Sequence, residues 1–447
     1  MKLAGSQVVV VGMARSGAAA VKLLLAHGAR VIPVDQNTTG EVEGIRILRQ
    51  TPEALDGASL VVVSPGVPAD ADLLREARGR GIQVVGEVEL AGYFLQGNTV
   101  GITGSNGKTT TTALIGHILK HCGIPCQVGG NIGTAPTAMV ATSRPGQWNV
   151  LELSSFQLET IETFHAHIGV AMNVTDNHLD RHYTFANYSA AKARLFANQT
   201  PDDHAILNAD DVTTVGYARQ TRARALWFSS TRSVPEGAWV QGERIVVNGE
   251  PLIDLKEITV RGRHNHENVM AAALAATLAG ASLPQIAQAV GTFPGVEHRL
   301  EFVRTLDGVA YYNDSKATSV DATLKAIAAF DGGLWIILGG KDKNSDYTVL
   351  REPLRTKAHA ALLIGSAAPK IAETLEGFVS LESPGTLEAA VHLAARRAQP
   401  GDTVLLAPAC ASFDQFQSFE HRGQVFKALV SNLASNPAPE DRPWRNA

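Results

Sequence analysis

The stretch Thr99–Thr112, reading Thr-Val-Gly-Ile-Thr-Gly-Ser-Asn-Gly-Lys-Thr-Thr-Thr-Thr, leaves this chain few ways to fold. The β-rich run Thr99–Thr103 meets a glycine turn, Gly104–Gly107, and the residues that follow predict a helix over Lys108–Lys120. A strand that ends in a glycine turn and restarts as a helix is the repeating unit of α/β sheets. The helix start presents unpaired backbone N–H groups and the positive end of the helix dipole, which suit a polyanionic phosphate. Gly104, Asn106, Gly107 and Thr110 are therefore expected around the bound phosphates. Lys108 is expected to reach the terminal phosphates and the Thr109 hydroxyl to ligate Mg²⁺. The spacing departs from G-x-x-x-x-G-K-[ST], because the residue five before Gly107 is Ile102. The expectation rests on the strand, turn and helix context.

Length makes this a multi-domain chain. At 447 residues it exceeds one hydrophobic core, and three domains are expected, at 1–91, 92–296 and 297–447. In the first, the β-branched run Val8–Val11 precedes the glycine turn Gly12–Gly17 and an alanine- and leucine-rich helix, a nucleotide-binding βαβ start. A second strand, Val31–Val34, ends at Asp35, an acid placed to accept ribose hydroxyls. The middle of the glycine turn is Ala14, whose side chain hinders a pyrophosphate and argues against a nicotinamide-dependent dehydrogenase. Leu60–Val63 and the loop Ser64-Pro-Gly-Val-Pro68 reach the same sheet edge, where open α/β sheets bind ligands.

In the central domain, Gly129–Gly133 reads as a loop and Trp148–Leu153 as a strand that delivers Glu152 beside the phosphate loop, where a carboxylate completes a magnesium shell. A strand over Ile168–Val174 leads into the loop carrying His178, and a helix over Tyr188–Phe196 carries Lys192 among small residues. Cys122 and Cys126 share the spacing of His178 and His182, but two predicted strands separate the pairs, which sets structural zinc aside. Three cysteines, odd in number and sparse, point to a reducing cytoplasm rather than a disulfide framework. With 39 basic and 43 acidic residues there is no general electrostatic footprint for nucleic acid or anionic membrane. The opening Met1–Gln7 and four valines lack a signal-peptide apolar region, and Val269–Ala281 is too short and alanine-rich to insert in a membrane, so it reads as a buried helix.

Asn265 and Asn268 open that helix on one face, where they could cap it or read an adenine edge. Pro294–Arg299 reads as a hinge into a further α/β layer with strands at Leu334–Leu338, Ala361–Ile364 and Thr403–Leu406. A polar, proline-bearing tail, Asn436–Ala447, ends the chain.

Taken together these stretches resemble the Mur ligase family, ATP-dependent enzymes that join amino acids to a UDP-linked sugar in peptidoglycan synthesis. The likeness is carried along essentially the whole chain by Gly101–Thr109, Gly130-Asn-Ile-Gly133, Leu151-Glu-Leu-Ser-Ser-Phe-Gln157, His178-Leu-Asp-Arg181, Ala191-Lys192, His264-Asn265, His298-Arg299 and Asp314-Ser-Lys-Ala-Thr318. The last of these, with Ala409-Cys-Ala-Ser-Phe-Asp-Gln-Phe416, is similar to the branch that adds D-glutamate to UDP-N-acetylmuramoyl-L-alanine. Branches that add a diamino acid, and folylpolyglutamate synthases, typically carry Asp-Tyr-Ala-His where this chain has Asn313-Asp-Ser-Lys316.

The resemblance implies an α/β protein with an N-terminal Rossmann-like domain, a central P-loop ATPase-like domain on a mostly parallel sheet and a C-terminal Rossmann-like domain. It implies a cytoplasmic, monomeric amide ligase that uses ATP and two Mg²⁺ ions and proceeds through an acyl phosphate and a tetrahedral intermediate. Lys108 and Thr109 would hold the phosphates and the first Mg²⁺, Glu152 would bridge the metals, His178 would help hold the second, and Lys192 would be carbamylated. Asn265, Asn268, Arg299, Asp314 and Lys316 would bind ATP. Ser16, Asp35, Ser64, Gly66 and Asn131 would serve the UDP-sugar, and Thr318, Lys343, Ser412 and the loop near Phe419 the D-glutamate. Asn177 is a departure, since relatives often place an acid immediately before the histidine. Closure of the last domain is expected to assemble the site and exclude water. A sibling ligase for another amino acid, or a nucleotide-sugar-binding protein without turnover, are the competing readings.

Overall fold

The computed structural model describes residues 3–260 and 262–434, so the stretch Asn436–Ala447 lies outside the described residues. The valine run becomes β1 (Gln7–Val11), in which Val8 through Val11 are fully buried. A strand apolar on both faces needs cover on both sides, and a parallel sheet flanked by helices supplies it. β1 pairs in parallel with β2 (Arg30–Val34) and β3 (Leu60–Val63), and β4 (Gln83–Gly86) extends β3, in the order β2-β1-β3-β4. Helix α1 (Arg15–Ala26) connects β1 to β2, α2 (Asp72–Gly79) precedes β4, and α3 (Glu87–Gly92) follows it.

A second sheet holds nine strands. They are β5 (Asn98–Thr103), β6 (Cys126–Gly130), β7 (Trp148–Glu152), β8 (Ile168–Ala171), β9 (His204–Asn208), β10 (Arg224–Ser229), β11 (Gly237–Gln241), β12 (Arg244–Val247) and β13 (Glu250–Asp254). Their order is β13-β12-β11-β10-β9-β8-β5-β7-β6, parallel from β6 to β11 and antiparallel beyond. α4 (Lys108–His121) follows β5, and α5 (Pro136–Met139), α6 (Ser155–Leu158), α7 (Leu179–His182) and α8 (Phe185–Ala193) connect later strands.

Four readings of the sequence change here. Gly129 and Gly130 belong to β6 rather than to a loop: a Cβ on Gly129 would lie 2.3 Å from the Thr134 carbonyl and one on Gly130 2.2 Å from that of Glu152, so close strand packing selects the glycines. β8 ends at Ala171, before Val174, because Asn173 turns away to clasp the phosphate loop, accepting from the Asn106 amide at 2.9 Å and donating to its carbonyl at 3.2 Å. The helix around Lys192 starts at Phe185 and ends at Ala193, with Arg194–Phe196 as a 3₁₀ turn. Asn265 and Asn268 do not cap their helix, which begins at Arg263; both are buried inside it, with Asn268 Nδ2 donating to Asn265 Oδ1 at 2.7 Å.

The last sheet has six strands, β14 (Glu301–Leu306), β15 (Val309–Asn313), β16 (Leu334–Gly339), β17 (Ala358–Ile364), β18 (Ser380–Gly385) and β19 (Thr403–Leu406). Their order is β14-β15-β19-β16-β17-β18, all parallel except the edge strand β14. Two compact units result, one running to Thr259 and taking in His264–Phe293, the other comprising Val260–Arg263 and the chain from Pro294. The first two sheets lie in the first unit. No helix among the described residues is long and apolar enough to cross a membrane.

Candidate active site

β5 and α4 are joined by the glycine turn. Gly104 has φ 147° and Gly107 φ 84°, values that a side chain resists. A Cβ on Gly107 would lie 2.6 Å from Asn268 Oδ1, so the turn is closed from behind by that buried asparagine, which also accepts from Thr111 Oγ1 at 3.2 Å. Lys108 Nζ donates to the carbonyls of Gly104 at 2.8 Å and Ser105 at 3.1 Å. Thr109 and Thr110 occupy the first turn of α4, half-buried.

β7 carries Glu152 to this turn. The side chain is buried; Oε1 accepts from Asn131 Nδ2 at 2.8 Å, and Oε2 has no hydrogen-bond partner. A buried, unpartnered carboxylate oxygen is costly unless a cation completes it. Lys192, on α8, is buried as well, donating to the Gly104 carbonyl at 2.8 Å and lying 4.6 Å from the Tyr188 ring centroid. Burial, with the nearby Lys108 ammonium adding to it and Glu152 opposing, pulls its pKa down to about 6. No cluster of three or more His, Cys, Asp and Glu side chains able to hold a metal occurs among the described residues. The donors near Glu152 suit Mg²⁺, which takes one or two carboxylates and fills its shell with phosphate oxygens and water.

His178 caps the start of α7 at φ 53°, exposed, its amide donating to Asn177 Oδ1 at 2.9 Å. The amide side chain at position 177 thus holds the histidine's backbone. The ring meets that of Phe156 edge-on at 4.9 Å. His182 stacks on the same Phe156 ring at 5.4 Å, and its Nε2 is 2.9 Å from Ser155 Oγ.

Ser16, Asp35, Ser64, Gly66 and Asn131 all line one cavity of about 940 Å³ in the first unit, together with Arg15 and Gln157. Asp35 braces the cavity wall: it accepts from the amides of Met13 at 2.7 Å, Asn37 at 2.8 Å and Thr38 at 2.7 Å. Burial raises its pKa, but these amides outweigh burial and hold it below the ordinary carboxylate value. Ser64 Oγ donates to the Gly12 carbonyl at 2.7 Å, which locks the glycine turn. Arg15 reaches the Asn131 carbonyl at 3.3 Å. Sequence reasoning gave no role to Arg15, or to Gln157 at the end of the Leu151–Gln157 motif; the sheet edges bring both to the cavity.

In the second unit, Asp314 is buried, and burial pushes its pKa up to about 7 against the pull of Arg299 and the Leu300 amide. Lys316 Nζ sits 3.9 Å over the Phe419 ring, and Lys343 Nζ is 3.5 Å from the Thr318 carbonyl. Ser412 is buried, its carbonyl accepting from Phe416 at 2.8 Å. Arg422, which no motif revealed, ties these loops together: its fully buried guanidinium donates to the Ser315 carbonyl at 2.9 Å and that of Cys410 at 3.2 Å.

Three family descriptions match in order: Mur ligase MurD-like N-terminal domain over residues 6–86, Mur ligase middle domain over 102–276, and Mur ligase glutamate ligase domain over 298–410. The chain belongs to the Mur ligase family. It is 59% identical to a UDP-N-acetylmuramoylalanine--D-glutamate ligase of Solibacter usitatus, covering 97% of this chain and 99% of that one. The protein of the same name from Acidobacterium capsulatum is 50% identical over the full length of both. Among solved structures, UDP-N-acetylmuramate-alanine ligase MurC from Thermotoga maritima matches with a TM-score of 0.61 at 16% identity, covering 95% of this chain and 99% of that one. MurF ligase from the same organism, in complex with ADP, matches with a TM-score of 0.60 at 16% identity, covering 96% of both chains. These two likenesses bear on the three-domain α/β fold.

Proposed function

We propose that this Mur ligase adds D-glutamate to UDP-N-acetylmuramoyl-L-alanine at the expense of ATP, as a monomer in the cytoplasm, with domains at 1–91, 92–296 and 297–447. The observation that carries the mechanism is that Glu152 and Lys192 are both buried beside the glycine turn, with the carboxylate close enough to oppose the lowering of the lysine's pKa. The near-full-length identity to D-glutamate ligases supports the choice of substrate.

A carboxylate does not acylate an amine at neutral pH until one oxygen is made a leaving group. Transfer of the γ-phosphoryl group of ATP to the L-alanine carboxylate gives an acyl phosphate and ADP. The amine of D-glutamate attacks its carbonyl carbon, and the tetrahedral intermediate expels phosphate to leave the amide. Lys108 and the amides of Gly104–Thr110 hold the phosphates, and Asn265, Asn268, Arg299, Asp314 and Lys316 bind the rest of ATP. Mg²⁺ ions held by Thr109, Glu152, His178 and a carbamate on Lys192 would neutralise charge on the phosphoryl oxygens. Carbon dioxide reacts only with a neutral amine, and the low pKa of Lys192 keeps that form populated near pH 7. Ser16, Asp35, Ser64, Gly66 and Asn131 position the UDP-sugar; Thr318, Lys343, Ser412 and Phe419 receive D-glutamate.

The test is phosphate release by purified protein with ATP, Mg²⁺ and UDP-N-acetylmuramoyl-L-alanine, comparing D-glutamate with L-glutamate, L-lysine, diaminopimelate and L-alanine. Release that requires D-glutamate and disappears in Lys108→Ala is the expected result. Release with a different amino acid overturns the specificity, and none with any overturns the ligase reading.

A further inference from the structure

Arg181 stands between the cavity and the His178 loop. It lies on α7, three residues after His178, with its guanidinium 4.8 Å over the Phe156 ring. Its Nη2 donates to the Val67 carbonyl at 2.9 Å and to Glu159 Oε2 at 3.0 Å. Val67 belongs to the loop that walls the cavity together with Gly66, Pro68 and Asp70. The Phe156 ring beneath the guanidinium is the one that meets His178 edge-on.

The far side of the cluster is fixed. Glu159 Oε1 is 3.1 Å from His182 Nδ1, and His182 Nε2 is 2.9 Å from Ser155 Oγ, so α7 is anchored to α6, the short helix after β7. Arg181 and Glu159 each expose less than a fifth of their side chains, so solvent and salt screen their pairing weakly. A second tie runs parallel, from the Tyr183 hydroxyl to Asp70 Oδ2 at 3.1 Å. The first-sheet wall of the cavity and the segment bearing His178 are therefore joined by that hydroxyl and by the Arg181 guanidinium, which also lies on the Phe156 ring that His178 meets.

We propose that Arg181 is a positioning residue that transmits occupancy of the nucleotide-sugar cavity to His178. A ligand that orders Gly66–Pro68 fixes the Val67 carbonyl, which holds Arg181 flat on Phe156 and so sets the ring against which His178 rests. Nothing in this requires Arg181 to touch substrate. The inference rests on the reading of the cavity as the UDP-sugar site.

The experiment uses the full chain without ATP or Mg²⁺. UDP-N-acetylmuramoyl-L-alanine is titrated while the histidine Cε1–H resonances are followed by NMR, the His178 signal being assigned by its loss in His178→Asn. In the wild type the His178 signal moves with saturation. In Arg181→Ala the ligand is expected to bind more weakly, because the Val67 loop loses the donor that pre-orders it, and His178 stays unmoved at saturation. Arg181→Lys, which retains the charge, regains part of both effects, because one ammonium can donate to Val67 and Glu159 but cannot stack as a plane. If Arg181→Ala does not fold, the lysine variant decides, and a wild-type response there overturns the proposal. Binding to the wild type with His178 unmoved, or an equal response in Arg181→Ala, also refutes it while leaving the cavity reading intact. Failure of the wild type to bind overturns both.

Discussion

Lys192 and Lys108 donate to the same acceptor, the carbonyl of Gly104, each at 2.8 Å. Two ammonium groups on one oxygen repel, and the more buried of the pair yields: Lys192 is held near pKa 6 by burial and by Lys108. The amine ready for carbon dioxide and the lysine ready for phosphate are thus coupled through one backbone atom of the glycine turn.

The first expectation concerns stability against pH. Lys192 titrates near 6 when folded and near the ordinary lysine value of 10.5 when unfolded. Between these values the unfolded chain binds the extra proton, so the penalty for burying the lysine is full below about 6 and is relieved as pH rises toward 10.5. The wild type should gain up to about 1.4 kcal/mol per pH unit relative to Lys192→Met, measured by urea unfolding in carbonate-free buffer from pH 6 to 9. A pH-independent difference would contradict it.

Asp314 has the opposite sign. Its carboxyl titrates near 7 when folded against 3.8 for an ordinary aspartate, so the native state binds the extra proton between them. Its penalty is absent below 3.8 and full above about 7. Asp314→Asn should be more stable than the wild type at pH 8 by about 2–4 kcal/mol, read as a higher urea midpoint, with ligase activity lost. Equal midpoints at pH 8 would show that the carboxylate is compensated in the folded state.

Asp35 holds three amides of the first glycine turn and the loop after β2. Its pKa is lowered, so its contribution is present above the ordinary carboxylate range and is lost as pH falls through the folded value. Asp35→Ala should cost about 2–3 kcal/mol at pH 7 and raise KM for the UDP-sugar at least about tenfold, with KM for ATP unchanged. A parallel rise in both constants would argue for general disruption.

Gly107→Ala should separate the two nucleotide sites. The added Cβ sits at φ 84° and 2.6 Å from Asn268 Oδ1, a strain of about 1–3 kcal/mol. ATP-dependent phosphate release should disappear, while calorimetry still detects UDP-sugar binding in the first-sheet cavity. Retained turnover would show that Asn268 gives way.

Local chemistry is legible wherever a short segment carries its own reason. Thr99–Thr112 announced strand, turn and helix because apolar run, glycine and hydroxyl-rich start follow one another directly. Gly129 and Gly130 misled for the same reason: glycine favours turns locally, yet here it answers to the neighbouring carbonyls of Thr134 and Glu152. Arg422 gave no signal, and Arg181 only its place at the end of the His178–Arg181 motif, since an arginine in a helix is ordinarily solvated and only its acceptors, distant in sequence, reveal its task.

By itself the sequence determined the α/β class, the phosphate turn and the residue types around it, because strand, turn and helix preferences and phosphate chemistry act over a few neighbours. The tertiary structure decided which of those groups are buried, and burial sets their chemistry. It left Glu152 Oε2 without a partner, lowered Lys192 and raised Asp314, and joined the Val67 loop to His178 through Arg181. Desolvation and long-range hydrogen bonds depend on what packs around a group, and that is set only when the sheets assemble.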